Sequence, residues 1–329
     1  MLGAVDRSTM EAVVAVGGDL VDRRLPVPVP GPRDLLVQVE AVSVNPVDVK
    51  TLAAGTAEER VLGFDAAGTV VAVGAEVSRF AVGDDVYYCG DFTRPGSHAQ
   101  FQAVDERLVG HKPATLGFAD AAAMPLTTLT AAESLLDHLG ATAESAGTLL
   151  VVGAAGGVGS ILVQLARALT ALRVIGTASR PESQRWVRSM GAHDVVDHRD
   201  LVAGVRAVAP GGVDWVVSTH TPDDLQVLAD VMRPFGHVVG VDGSHRDVAP
   251  LKPASLSWHW EYVFARPARR TADMSRHGEL LDHIGARLER GELRSTATQY
   301  VEGLSASGLR EAFALVESGR TMGKVVVHR

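Results

Sequence analysis

The run Leu149-Leu150-Val151-Val152-Gly153, followed at once by Ala154-Ala155-Gly156-Gly157-Val158-Gly159, constrains this chain more than any other segment. A short, wholly apolar run ending in glycine reads as a strand buried on both faces of a parallel sheet. The glycines then open a helix in which Ile161, Leu165 and Leu169 recur at i, i+4 and i+8. A helix N-terminus presents unpaired N–H groups and the positive end of the helix dipole, so such a turn suits a pyrophosphate. Gly156 would let the backbone approach that group, and Gly159 would permit close helix–strand packing. Ala154 stands where the usual fingerprint begins with glycine, with Gly153 just before it. Glycine-rich turns also serve as plain connections; here the strand–turn–helix context makes Ala155, Gly156, Gly157, Val158 and Gly159 candidate cofactor contacts.

The same alternation continues downstream. Strands are expected at 173–177, 194–197, 213–217 and 237–241, with helices at 181–190, 201–208 and 222–233. Repeated strand–helix units of this length predict an α/β fold with a doubly wound parallel sheet. The first 125 or so residues differ in texture. Short strands at 35–44, 67–74 and 84–90, punctuated by Gly, Pro and Asp, suggest a compact β-rich domain. The tail holds amphipathic helices near 271–290 and 307–318 and a last strand, Lys324–Val327. It is too short for a separate domain and is expected to return to the first one.

The choice of nicotinamide dinucleotide is read at the end of the second strand, about 20 residues past the turn. Thr177-Ala178-Ser179-Arg180-Pro181-Glu182 stands there. No acid is placed to grip a ribose 2′-hydroxyl; a hydroxyl and a guanidinium, Ser179 and Arg180, suit a 2′-phosphate instead. Ser179 with Glu182 also reads as a helix capping box with Pro181 in the first turn, and the two readings are compatible. NADPH is therefore the expected cofactor.

Composition narrows the classes. The net charge of −8 argues against nucleic acid or an anionic membrane as partner. A single cysteine, Cys89, rules out an intrachain disulfide and suits a reducing compartment. The start carries acids early and lacks a basic stretch followed by an apolar core, so no secretory leader is expected. No apolar run approaches the ~20 residues of a membrane span, and a cytoplasmic protein is expected.

Eight segments together resemble the medium-chain dehydrogenase/reductase superfamily. They are residues 30–50, 61–74, 82–101, 120–140, 153–160, 177–200, 255–267 and 319–327. Within the superfamily they are similar to the zinc-independent quinone oxidoreductase branch, and to the subgroup labelled zinc-type alcohol dehydrogenase-like protein. The resemblance spans essentially the whole chain. It implies a GroES-like substrate domain over 1–126, a Rossmann NADPH-binding domain over 127–262 and a C-terminal segment, 263–329, returning to the first. It also implies an active site in the cleft between the domains and a homodimer.

The subgroup label invites an expectation of metal that the residues do not meet. Zinc alcohol dehydrogenases carry a Cys after the strand that here ends at Val44, and a Gly-His-Glu about twenty residues later. Here these positions are Asn45 and Gly63-Phe64-Asp65, an amide and a benzene ring in place of a thiolate and an imidazole. No pair among the 12 histidines is spaced i, i+3 or i, i+4. No catalytic zinc is expected, and so no Lewis acid to activate a simple alcohol or ketone. Hydride transfer to a carbon that is already electrophilic, in a quinone or an α,β-unsaturated carbonyl, needs less help.

By resemblance, Asn45 lies beside the nicotinamide, Asp48 fixes that loop, and Lys50 stands where related reductases carry a tyrosine and could donate to a substrate oxygen. Plain alternatives are a turn for Asn45-Pro46, a side-chain-to-backbone bond for Asp48 and a solvated charge for Lys50. Tyr87 and Tyr88 adjoin the substrate by resemblance, but neighbouring strand residues face opposite sides, so at most one can reach it; Tyr87 is the candidate. Thr127 and Thr130 resemble nicotinamide-ribose contacts, though Thr130 could simply pack a helix. His198 corresponds to a tyrosine near the 2′-phosphate, or is a surface histidine. Thr219 and Val241 end the fourth and fifth strands, where a dinucleotide crosses the sheet. Trp258, Trp260 and Tyr262 read as an interface or core cluster. Two rival functions remain open at this stage: a pathway-specific enoyl or enone reductase, and a non-catalytic NADPH-binding structural or regulatory protein.

Overall fold

The computed structural model describes residues 8–55, 58–243 and 245–329; the first seven of the opening residues read above for a leader lie outside them. The chain divides into two compact units, Met1–Leu126 with Phe264–Arg329, and Thr127–Val263.

The first unit opens with β1 (Thr9–Val16) and β2 (Asp19–Pro26), then the long β3 (Asp34–Val44) and the short β4 (Arg60–Val61). β5 (Ala66–Val73), β6 (Asp85–Tyr88), β7 (Phe101–Asp105) and β8 (Val109–His111) follow. β1, β2 and β4 form a small antiparallel sheet in the order β2-β1-β4. β3 is buried along nearly its whole length, because it pairs with both β5 and β7 and lies at the centre of the unit's larger sheet. Asn45-Pro46 does break this strand, and it starts a helix, Pro46–Ala54. Proline suits the first helical position, where its missing N–H is not needed.

The second unit carries the doubly wound sheet. Its strands are β9 (Thr148–Val152), β10 (Arg173–Thr177), β11 (Asp194–Val196), β12 (Val213–Ser218), β13 (Met232–Gly240) and β14 (Ser257–Trp260). All five pairings are parallel, in the order β11-β10-β9-β12-β13-β14. This is the 3-2-1-4-5-6 arrangement that places a switch point between the first and fourth strands, β9 and β12. Every residue of β9 is buried, as its apolar run requires.

One expected element is largely missing. The helix expected over 222–233 is reduced to Gln226–Ala229, and β13 begins already at Met232. Pro234 cannot continue a helix. The strand instead takes up an irregularity against β12, with Phe235 in the left-handed region at φ 65°.

The chain returns to the first unit through helices Arg276–Glu289 and Ala306–Glu317, β15 (Ala297–Glu302) and β16 (Lys324–His328). β16 pairs antiparallel with β3, completing the sheet order β15-β16-β3-β5-β6-β8. Leu309, Ala312 and Phe313 of the last helix are buried in the same core cluster as Val39, Val42 and Val325. Among the described residues, no helix is long and apolar enough to cross a membrane.

Candidate functional site

In the second unit, three glycines shape the turn after β9, each for a different reason. Gly153 sits at φ 82°, and a Cβ there would lie 2.1 Å from Thr219 Oγ1. It therefore makes the tight turn that Ala154 could not make. At Gly159 a Cβ would come within 2.4 Å of the Gly153 carbonyl oxygen and 2.5 Å of Ala154 Cα, so helix and turn touch backbone to backbone. Gly156 differs: its φ is −77°, and a Cβ would meet only the Gly153 oxygen, at 3.5 Å. The protein's own packing does not require glycine at 156. What the missing side chain leaves is a cradle, open to a group lying against the backbone.

No side chain caps the helix Gly157–Leu169, whose N-terminus includes Gly157, Val158 and Gly159. Its first-turn N–H groups and dipole therefore suit a pyrophosphate, and the turn fits a dinucleotide. Ala155 lends its carbonyl to Ser160 Oγ at 3.3 Å, and the Trp186 indole donates to Ser160 Oγ at 2.8 Å, linking this helix to Pro181–Ser189. Thr177 Oγ1, at the end of β10, accepts from Gly153 N at 3.0 Å. Ser160, Thr177 and Trp186 escaped sequence reasoning because their partners lie on other elements.

Ser179 and Arg180 are half-buried at the end of β10, and His198 is exposed after β11. The expected Ser179–Glu182 capping box does not form. The cap lies one residue later: Ser183 Oγ accepts from Arg180 N at 3.2 Å and donates to Arg180 O at 2.9 Å. Glu182 instead pairs with the Arg180 guanidinium at 3.3 Å. This leaves the Ser179 side chain outside the cap. Thr219 Oγ1 donates to Val152 O at 3.1 Å, and Val241 N donates to Ser218 O at 2.9 Å, so both close the carboxyl edge of the sheet. Thr127 and Thr130 are buried on the helix Pro125–Ala132, and the Thr130 carbonyl accepts from Ser134 Oγ at 2.7 Å.

In the first unit the structure builds a closed polar network. Asn45 Nδ2 donates to Asp65 Oδ2 at 2.8 Å, and Ser43 Oγ donates to the same oxygen at 2.8 Å. Lys324, at the start of β16, places its ammonium against Asn45 Oδ1, Asp65 Oδ2 at 3.1 Å and Val44 O at 3.2 Å. Asp65 Oδ1 accepts from Leu126 N at 2.7 Å. Beside it, Asp48 accepts from Asn45 N at 2.8 Å and Gly63 N at 3.1 Å. Burial pushes the Asp48 carboxyl up to about 7, with Asp65 adding to the rise and the two N–H bonds and Lys324 opposing it. All four of Asn45, Asp48, Asp65 and Lys324 are buried. Asn45 and Asp48 are joined in this network, and Lys324 and Asp65 are members of it that sequence reasoning missed. The available signal was charge in apolar surroundings: Asp65 in Val61–Val71 and Lys324 before Val325-Val326-Val327.

Phe64 is buried in a cluster of three phenyl rings, 5.2 Å from Phe92 and 5.1 Å from Phe264 between centroids. Lys50 is exposed on the helix Pro46–Ala54. Tyr87 requires a correction: it is a core residue rather than a substrate contact, fully buried with its hydroxyl donating to Leu281 O at 2.6 Å. Burial pushes that phenol well above its ordinary range. Tyr88 is buried as well. Among the described residues, no group of three or more His, Cys, Asp or Glu is arranged to hold a metal ion.

An alcohol dehydrogenase GroES-like domain model matches residues 31–133, and a zinc-binding dehydrogenase model matches residues 157–261. The fold and these matches define an oxidoreductase whose parallel sheet implies a nicotinamide cofactor. The chain belongs to the medium-chain dehydrogenase/reductase superfamily. It is 38% identical over 310 residues to a zinc-type alcohol dehydrogenase-like protein of Staphylococcus aureus (strain MSSA476), covering 92% of each. A solved structure from Rhizobium etli CFN 42, provisionally described as a zinc-dependent alcohol dehydrogenase protein, matches with a TM-score of 0.94 and 44% identity over 98% of both chains. The 2-methylene-furan-3-one reductase of Solanum lycopersicum is 30% identical over 344 residues, spanning 99% of this chain and 76% of that protein.

Proposed function

We propose that this protein is a metal-independent, NADPH-dependent reductase of quinones or α,β-unsaturated carbonyl compounds. One observation carries the reading. At the two positions where zinc alcohol dehydrogenases present a thiolate and an imidazole, Asn45 is locked onto Lys324 and Asp65, and Phe64 is packed among phenyl rings. An ammonium already neutralises the carboxylate there, and a phenyl ring offers no lone pair to Zn²⁺. Chemistry that needs no Lewis acid fits such a chain best. The similarity to a reductase named for 2-methylene-furan-3-one, whose C=C bond is conjugated to a carbonyl, points the same way.

When bound, the dinucleotide supplies the hydride. The N–H groups of Gly157, Val158 and Gly159 would hold its pyrophosphate. Arg180, aided by Ser179, would hold the 2′-phosphate, with His198 nearby and Glu182 competing for the guanidinium. Thr127, Thr130, Thr219 and Val241 are proposed to line the nicotinamide half. In the first unit, Asp48, Asp65 and Lys324 hold the Asn45–Lys50 segment in place. Lys50, exposed on the helix Pro46–Ala54, is the proposed donor to the oxyanion that develops on the acceptor carbonyl. A second copy of the chain is the proposed partner at β14, an edge strand beside which Trp260 and Tyr262 stand about half exposed.

The test is a turnover assay on the purified protein with its metal content measured. NADPH should be consumed with 1,4-benzoquinone or an enone, chelator should change nothing, and NADP⁺-dependent oxidation of simple alcohols should be negligible. Stoichiometric zinc with alcohol oxidation would overturn the reading, as would bound NADPH without any turnover.

A further inference from the structure

The carboxyl ends of β12 and β13 release two stretches of chain that one arginine ties together. Arg246 keeps only 5% of its side chain exposed. Its Nη2 donates to Thr221 O at 3.1 Å and to Asp242 Oδ2 at 2.8 Å, and its Nη1 donates to Asp223 Oδ1 at 3.0 Å. Asp242 in turn accepts from both the backbone N and the hydroxyl of Thr221. A planar guanidinium can bridge a carbonyl and two carboxylates from one position, which a lysine ammonium on a flexible stem cannot do with the same geometry. The ties continue towards the glycine turn: Thr219 N and Oγ1 both donate to Val152 O at 3.1 Å, directly before Gly153.

A dinucleotide laid over this edge has its adenosine half beside β10 and β11, where Ser179 and Arg180 stand. Its nicotinamide half then falls over the ends of β12 and β13. Both outer nitrogens of Arg246 are directed at the loops. We propose that Arg246 is a positioning residue that pre-orders the chain at Thr219–Asp223 and Val241–Asp242 for the nicotinamide half of the cofactor. This rests on the dinucleotide reading given above. Loops held in place before binding do not charge their ordering entropy to the ligand, so removing the tie should weaken only the ligand that reaches them.

The experiment compares two ligands on the full-length protein: NADPH, and adenosine 2′,5′-bisphosphate, which lacks the nicotinamide half. Arg246→Met should raise the Kd of NADPH about tenfold while changing that of the bisphosphate less than about twofold. Arg246→Lys, which keeps the charge but not the fork, should recover only part of the loss. A purely structural role would weaken both ligands alike or neither, and either result overturns the proposal. Wild-type protein that binds neither ligand overturns the dinucleotide reading and this proposal with it. If Arg246→Met does not fold, Thr221→Val removes one hydroxyl bond to Asp242 with little change of shape. It should weaken NADPH about threefold and leave the bisphosphate unchanged, and equal losses would again overturn the proposal.

Discussion

The glycine turn of the second unit and the Lys324 network of the first are both rich in polar groups, and they handle them in opposite ways. Around Gly156 the helix has no side-chain cap, and a Cβ at the glycine would meet only the Gly153 oxygen, at an ordinary 3.5 Å. Around Asp65 the amide, hydroxyl and ammonium groups converge on one another, with no side chain left open. A region built for a ligand leaves its donors unspent, whereas a region built to hold a loop spends them internally.

The largest expected effect comes from breaking the closed region. Lys324→Met would strand Asp65 without its counter-charge at a site where the two side chains are 4% and 0% exposed. Removing one partner of a buried ion pair costs ~3–5 kcal/mol, read as a lower denaturant midpoint. Lys324→Met combined with Asp65→Asn should recover part of that loss, since no buried charge is then left unpaired. A single variant as stable as wild type would mean that water reaches the cluster and that it is not closed.

A pH-dependent effect separates two buried groups of the first unit. His98 is fully buried against the edge of Phe313, and burial pulls its imidazole down to about 3. The unfolded chain takes up this proton near 6.5, so stability falls as pH drops from 6.5 towards 3. Asp48 acts with the opposite sign. Its carboxyl, raised to about 7 from 3.8, binds a proton in the folded state first, so its contribution falls as pH rises through that window. The two offset each other where the windows overlap, with each slope limited to about 1.4 kcal/mol per pH unit. His98→Leu should therefore grow more stable from about pH 7 to about pH 4 relative to wild type, as followed by denaturant midpoints. Parallel pH profiles would show that His98 is not held neutral.

The open region was far more legible in the sequence than the closed one, and the reason is range. Leu149–Val152 and the glycines after it are contiguous, and apolar run, turn and helix period can each be read within a few residues. That the sheet is parallel follows from the repeated strand–helix alternation. Lys324 meets Asn45 across 279 positions and Asp65 across 259, and no local pattern encodes such a meeting. Tyr87 shows the same limit, since its hydroxyl partner, Leu281, lies 194 residues away. Local errors stayed local: β13 begins already at Met232, inside the helix expected over 222–233, and Ser183 took the capping place assigned to Ser179.

The smallest change in stability should sharpen the comparison most. Gly159→Ala and Gly156→Ala add the same methyl group three residues apart on one turn. At 159 the methyl carbon meets the Gly153 oxygen at 2.4 Å and Ala154 Cα at 2.5 Å, and backbone atoms cannot yield as a flexible side chain could. Overpacking of this kind costs ~1–3 kcal/mol, and Gly159→Ala should lose both stability and cofactor. At 156 the nearest atom is 3.5 Å away and φ is −77°, which any residue adopts. Alanine is a poorer N-cap than glycine, so a loss of stability of about 1 kcal/mol is expected there. The methyl group nonetheless occupies the space a pyrophosphate would need, and NADPH should bind at least about tenfold more weakly, as for a displaced charge-assisted hydrogen bond. Thermal unfolding and NADPH titration on both variants separate the two roles. Undiminished NADPH affinity in Gly156→Ala would mean that the bare backbone serves no ligand, and the distinction between an open and a closed polar region would fail.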